Sequence, residues 1–296
     1  MPSTRDIRRR IKSVKNTAQI TKAMQMVASS KMRRAQQAAL ASRPYANLMN
    51  TVIANVSRHA GDFTHPLMEA RAVKKRCVLI VSTDKGLCGA LNSNLLREAG
   101  KFDRATTVYI TAGRKGSQFV ARTKRQLAAE FTYKDAPLFS EARAISAFAR
   151  EMFSKGEVDR VDILFTKFIS TLNQRPELHQ FLPVGEIKPV QAGGEPVPVS
   201  AEQEQELSGA REFIFEPNPE QVLGALLPYS LNFELYQILL EAKASEHSSR
   251  MVAMKNATDN AQQLIKDLTL EYNKLRQANI TKELLEITTA QMALAS

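Results

Sequence analysis

Near the start of the chain, the inward-type positions step by alternating fours and threes. They are Ile7, Ile11, Val14, Ala18, Thr21, Gln25, Ala28, Met32, Ala35 and Ala39. A 3.5-residue repeat is the pattern of a coiled-coil seam, so the spacing predicts a long helix. Ser3 or Thr4 can cap its start, and Asp6 suits the positive end of the first turn. The seam is mostly small or polar and is weakest at Thr21 and Gln25, with Met24, Met26 and Val27 beside that point. Pro44 interrupts or kinks the helix. Tyr45, Leu48, Val52 and Val56 then carry a stripe onward until His59-Ala60-Gly61-Asp62 stops it.

The pattern then changes. Residues 77–82 (CVLIVS), 106–111 (TTVYIT) and 161–168 (VDILFTKF) read as buried strands. Helical spacing lies between them at 90–100, 116–125 and 140–155. Strands alternating with helices predict an α/β domain with a largely parallel sheet. Residues 177–190 form a further strand-like stretch suited to an edge, and residues 191–209 (QAGGEPVPVSAEQEQELSG) read as a mobile loop.

After Pro217 and Pro219 the chain turns helical almost to its end. Leu231, Leu235, Ile238, Ala242, Ser245, Ser249 and Val252 form one 3.5-residue run. Met251, Met254, Thr258, Ala261, Ile265, Leu268, Tyr272, Leu275 and Asn279 form another, and Ile280, Leu284, Ile287, Gln291 and Leu294 resume it after a one-residue shift. At 1.5 Å per residue this helix spans about 110 Å and the N-terminal one about 80 Å. The expected architecture is therefore α/β: a long antiparallel coiled coil of N- and C-terminal helices, protruding from a central α/β (Rossmann-like) domain. The segments are 1–60 for the first coiled-coil helix, 72–190 for the α/β domain, 191–209 for the loop and 220–296 for the second helix.

Composition suits a globular core, with 44% hydrophobic and 24% charged residues among 296. No run of about 18 apolar residues points to a membrane span, and no secretory signal is expected. The net charge of +11 invites a nucleic-acid reading. Its location changes that picture: residues 1–43 hold eleven Lys/Arg and one acid, a net of +10, which leaves +1 for everything else. Nucleic-acid binding by a coiled coil stays open as an alternative, although residues 1–43 offer no aromatic for base stacking. The other readings of this block are a transit peptide, which does not need so long a seam, and a partner protein presenting acidic groups.

Little points to chemistry on the chain itself. Ser82-Thr83-Asp84-Lys85-Gly86-Leu87-Cys88-Gly89-Ala90 follows a strand and opens a helix, where phosphate loops occur, but it matches neither GxxxxGK[ST] nor GxGxxG. It reads as a tight structural turn, as does Ala112-Gly113-Arg114-Lys115-Gly116. His59, His65, His179 and His247 lie in separate elements and are expected in surface or capping roles, while Cys77 and Cys88 lack metal-ligand spacing. No catalytic, cofactor or metal site is expected. The last ten residues, 287–296 (ITTAQMALAS), carry no charge, which fits either enclosure by something apolar or an inert tail.

Three segments carry a resemblance. Residues 20–36 (ITKAMQMVASSKMRRAQ), with 249–261 (SRMVAMKNATDNA) and 272–284 (YNKLRQANITKEL), closely resemble the gamma subunit of bacterial F-type ATP synthases. The likeness runs through the whole chain in order. It implies a noncatalytic rotor shaft whose paired helices stand inside a ring of alpha and beta subunits, with the α/β base on the epsilon subunit and the c-ring. It further implies that proton flow turns the shaft and drives ATP synthesis at the beta subunits. By the same resemblance, Met24, Arg250 and Gln277 are expected to contact beta, with Thr281 and Glu283 extending that patch. Phe213, Phe215 and Glu216 fall in the segment expected to reach the c-ring loops, with Phe where Tyr is expected at two positions. The cysteine-bearing insertion of chloroplast relatives is missing, so thiol regulation is not expected. The implied location is peripheral, on the cytoplasmic face of the bacterial cell membrane, with no nucleic acid.

Overall fold

The computed structural model describes residues 3–59, 65–185, 216 and 218–295. The loop expected at 191–209 and the foot residues Phe213 and Phe215 lie outside the described residues. Helix α1 spans Thr4–His59 and runs through Pro44. Then come β1 (Arg76–Val81), α2 (Leu91–Gly100), β2 (Thr107–Ala112), α3 (Arg114–Arg122) and β3 (Gln126–Phe131). After these follow α4 (Phe139–Ser154), β4 (Arg160–Phe168), β5 (Gln174–Leu182) and the 77-residue α5 (Pro219–Ala295). Residues 1–29 with 250–296 form one compact unit, and residues 30–249 form the other.

In the larger unit the sheet order is β3-β2-β1-β4-β5. β1, β2, β3 and β4 are mutually parallel where they pair, and β5 joins β4 antiparallel. Strand β3 was not among the expected strands. Its sequence, QLAAEF, lacks β-branched residues, and as an edge strand it stays mostly exposed; pairing with β2, not pattern, makes it a strand. The edge expected at 177–190 is β5, which starts earlier and ends at Leu182.

The sheet is covered on both faces, as a parallel sheet requires. On one face, Val78, Ile80 and Leu164 pack with Leu95 and Ala99 of α2 and Val120 of α3. On the other, Leu79, Val81, Ile110 and Ile163 meet Ile145, Ala149 and Phe153 of α4 and Leu231, Leu235, Ile238 and Ala242 of α5. The inner part of α5 thus serves as a core helix. Residues 242–248 are buried without exception, so this stretch of α5 has no solvent face. Where α1 and α5 meet near the chain's foot, Ile53 and Val56 cluster with Leu223 and Leu227. Of the continuing stripe, Val56 is in this cluster and Val52 packs against it, whereas Tyr45 and Leu48 are exposed at 42% and 59%.

The smaller unit follows the seam closely. On α1 every expected position from Ile7 to Ala28 is buried or half-buried, with Ile7 and Ala28 deepest. On α5 the same holds from Met251 to Leu275. Thr21 and Thr258 meet across it, their hydroxyl oxygens 2.7 Å apart. The seam does not resume after Leu275. Residues 276–292 are all exposed, including Ile280, Leu284, Ile287 and Gln291, while the side chain of Leu294 lies outside the described ones. Register gives the reason: Thr4 starts α1 seventeen residues before Thr21, and Leu275 lies seventeen after Thr258. Beyond Leu275 in an antiparallel pair there is no α1 left to cover α5.

Candidate functional site

In open α/β sheets, ligands collect beyond the carboxyl ends of the strands where the strand order reverses. Here that point lies between β1 and β4. The turn after β1 lies beside that point, and its residues 82–84 fill the neighbouring start of α3, which follows β2. At the start of α3, the Arg114 N–H donates to Asp84 Oδ1 at 3.0 Å, and the Gly116 N–H donates to Ser82 Oγ at 2.8 Å. The Lys115 N–H donates to the Thr83 carbonyl at 3.0 Å. These are the groups a helix N-terminus offers to an anion, and Asp84 supplies the negative charge. Gly113 permits the approach: it sits at φ +105°, and a Cβ there would lie 2.2 Å from the Ser82 carbonyl oxygen. The turn is structural, as its sequence reads.

The crevice beside it is occupied by α5. Ser248 Oγ donates to the Thr171 carbonyl in the β4–β5 turn at 2.8 Å, and Ser249 Oγ donates to the Cys88 carbonyl at 2.7 Å. One turn earlier, the buried Lys243 ammonium lies 3.0 Å from Glu246 Oε2 and 4.4 Å from the centre of the Tyr133 ring. It is also 3.8 Å from Asp135 Oδ1. His247 Nε2 lies 3.9 Å from the same Asp135 oxygen, and Asp135 pairs in addition with Lys31 of α1. Hydrogen bonding from Lys31, then the nearby Lys243 and His247, holds the Asp135 carboxyl below the usual carboxylate range. Burial pushes the Tyr133 phenol well above its usual value.

Sequence reasoning missed this cluster. His247, expected at the surface or in a cap, is 2% exposed, because α5 is enclosed on every side there. The available signal was the run Ala242-Lys243-Ala244-Ser245-Glu246-His247-Ser248, whose small residues let neighbours approach from all directions. Among the other histidines, His179 pairs with Glu234 at 2.6 Å and His65 Nδ1 accepts from the Leu67 N–H at 3.1 Å. Burial pushes the Cys77 thiol up to about 12, so it is chemically quiet. Among the described residues no group of three His, Cys, Asp or Glu side chains is arranged to hold a metal ion. No described helix is long and apolar enough to cross a membrane.

Comparison with known proteins fits this arrangement. A family model described as ATP synthase matches residues 3–294. A protein from Opitutus terrae named ATP synthase gamma chain is 49% identical over 297 residues, covering all of both chains. The chain belongs to the ATP synthase gamma-chain family. A gamma chain from Roseiflexus castenholzii is 46% identical over 304 residues, covering all of this chain and 99% of the other. Among solved structures, the central stalk and c-ring of the Tetrahymena thermophila mitochondrial ATP synthase matches with a TM-score of 0.58 and 25% identity. That match covers 80% of this chain and 99% of the other. A chain of the Euglena gracilis mitochondrial enzyme, at 20% identity, shares the fold with a TM-score of 0.65, over 98% of this chain and 94% of the other.

The residues that the gamma-family resemblance singles out do not form one site. Met24 is half-buried on α1, three residues past the Thr21–Thr258 contact, and Arg250 is half-buried on α5. Gln277, Thr281 and Glu283 are exposed and lie beyond the end of the seam. From Arg250 to Gln277 along α5 is about 40 Å at helical rise. Thr281 stands one turn from Gln277, to whose carbonyl its hydroxyl donates at 3.0 Å. Glu283 is two residues further on, so it faces away from Thr281. Glu216, in the larger unit, is exposed.

Proposed function

We propose that this chain is the noncatalytic central stalk, or rotor shaft, of a proton-translocating F-type ATP synthase. In this reading it sits peripherally on the cytoplasmic face of a bacterial membrane, with alpha, beta and epsilon subunits and a c-ring as partners. The observation that carries the reading is the bare end of α5. Past Leu275 this helix exposes Ile280, Leu284, Leu285, Ile287 and Met292, at 48–75%. Ile280, Leu284 and Ile287 share one stripe, whereas Leu285 and Met292 point well away from it. Apolar side chains on more than one face suit a sleeve around the helix better than a single docked partner. The charge-free residues 287–292 are all exposed in that stretch.

The filled start of α3 supports the noncatalytic part: backbone N–H groups that could meet a phosphate there are taken by Asp84, Thr83 and Ser82 of the same chain. The block of +10 on α1 supports the shaft. A cationic face turning past acidic neighbours has an energy that depends on angle, and torque is the slope of that energy. One exposed pair contributes only about 0–1 kcal/mol, so coupling rests on many contacts at several levels of the helices. Met24, Arg250, Gln277, Thr281 and Glu283 would serve as beta contacts, and Phe213, Phe215 and Glu216 as contacts with the c-ring.

Purification of the tagged chain from its native membranes tests the reading. Stoichiometric recovery of alpha, beta and epsilon with ATPase activity is expected. Met24→Lys should then lower ATP yield per proton in reconstituted vesicles. Recovery without an ATPase, together with a salt-dependent DNA shift by the chain alone, would overturn the proposal in favour of nucleic-acid binding.

A further inference from the structure

The charges around Lys243, buried for Lys243, Glu246 and His247 and half-exposed for Asp135 and Lys31, stand apart from every contact the family resemblance suggests. Asp135 lies in the loop after β3, so it belongs to the α/β body. It meets a cation of α1, Lys31, and a cation of α5, Lys243, with His247 of α5 beside it. Tyr133, two residues earlier in the same loop, covers the Lys243 ammonium with its ring and donates its hydroxyl to the Ser82 carbonyl at 3.2 Å. The loop is thereby tied to β1, and through Asp135 to both long helices. All of these groups lie within the unit formed by residues 30–249.

Apolar packing and charge pairing respond differently to a twist. The apolar contacts of Leu231, Leu235 and Ile238 with the sheet resist separation but have no preferred direction. A buried ammonium is directional. Rotating α5 by a fraction of a turn carries the Lys243–Glu246 pair away from the Tyr133 ring and Asp135, so the contacts between helix and loop are lost although the pair within α5 persists. Ser248 and Ser249, bonded to the two strand-end turns, share that sensitivity.

We propose that Asp135, with Lys243 and Lys31, is the load-bearing joint by which the α/β body grips both long helices against twist. This rests on the rotor reading above. Asp135 acts as a positioning residue: it touches no nucleotide and fixes the angle of the helices relative to the body. With no opposing proton gradient the joint carries little twist; against a gradient it carries the full load.

The test uses the assembled complex in sealed vesicles, comparing unloaded ATP hydrolysis with the steady proton gradient that hydrolysis sustains. Asp135→Asn is expected to leave unloaded hydrolysis within about twofold of the parent and to lower the sustained proton concentration ratio at least threefold. Passive leak is measured on the same vesicles. Asp135→Glu should recover part of the gradient, as a purely steric role would not allow. Should Asp135→Asn fail to assemble, the paired change Lys243→Met with Glu246→Gln removes both charges of the bonded pair on α5 while Asp135 keeps Lys31, and the same loss is expected from it. A wild-type gradient at equal leak in either assembled variant overturns the joint and leaves the rotor reading intact. A parent complex that hydrolyses ATP without building any gradient overturns both.

Discussion

The contact between Thr21 and Thr258 allows a quantitative test of how the seam is held. Each hydroxyl also reaches a carbonyl of its own helix: Thr21 that of Ala18 at 3.1 Å, and Thr258 that of Met254 at 2.8 Å. In Thr21→Val the contact across the seam is lost, at a net cost of about 0.5–1.5 kcal/mol. No donor is orphaned, because Thr258 still bonds Met254. The added methyl offsets the loss by up to about 0.8 kcal/mol, so the single change should lie within about 1 kcal/mol of the parent. Thr258→Val should behave alike. With both changed, two methyls meet in the seam and the pair should be neutral or stabilising, which gives an interaction energy of about 1 kcal/mol in the double-mutant cycle. Native-state hydrogen exchange at amides near 14–25 and 254–265 reads this locally, without requiring the whole chain to unfold in one step. A cycle that closes with less than about 0.3 kcal/mol of interaction would mean the two hydroxyls do not work together. A loss above about 3 kcal/mol in Thr21→Val would mean a donor had been stranded after all.

Two further outcomes follow from the larger unit. Gly113→Ala should cost at least about 3 kcal/mol in urea unfolding, since it adds positive-φ strain to a Cβ 2.2 Å from backbone. Gly86→Ala, with nothing within 4 Å, should shift stability by less than about 1 kcal/mol; equal effects would refute the close approach. Hydrogen bonding to Glu234 raises the His179 pKa. The stability this pair supplies is therefore full below the unfolded value of about 6.5 and is lost as pH rises through the higher folded value. The difference in melting temperature between the parent and His179→Gln should thus be largest near pH 5.5 and shrink by pH 9. A difference that is constant with pH would count against the pair.

How much of this was legible in the sequence varies with the physics of each part. The seam was readable to the residue because a heptad repeats one requirement many times, and Ile7 to Ala28 and Met251 to Leu275 all face inward. Its end was not readable. Ile280, Leu284 and Ile287 continue the pattern in sequence but lack an opposing helix, a fact set by where α1 begins and by the register at Thr21. β3 escaped because an exposed edge strand needs no alternation of polar and apolar residues. The Lys243–Glu246–His247 cluster escaped for the opposite reason: charged residues in a helix are read as solvated, and only the enclosing loop with Tyr133 and Asp135 shows otherwise. Of the residues expected at interfaces, Arg250 and Gln277 lie about 40 Å apart along α5.

The contact between residues 82–84 after β1 and the start of α3 has a consequence for ligand competition. Asp84 and Ser82 are held against α3 by the pairing of β1 with β2, so they act intramolecularly, at an effective concentration on the order of millimolar or higher. A free phosphate would have to outcompete that local concentration. It would also have to break the Gly116–Ser82 bond that packs α3 onto β1. The domain has converted a position that elsewhere yields affinity into rigidity, and single substitutions at Asp84 would loosen α3 before they created a binding site.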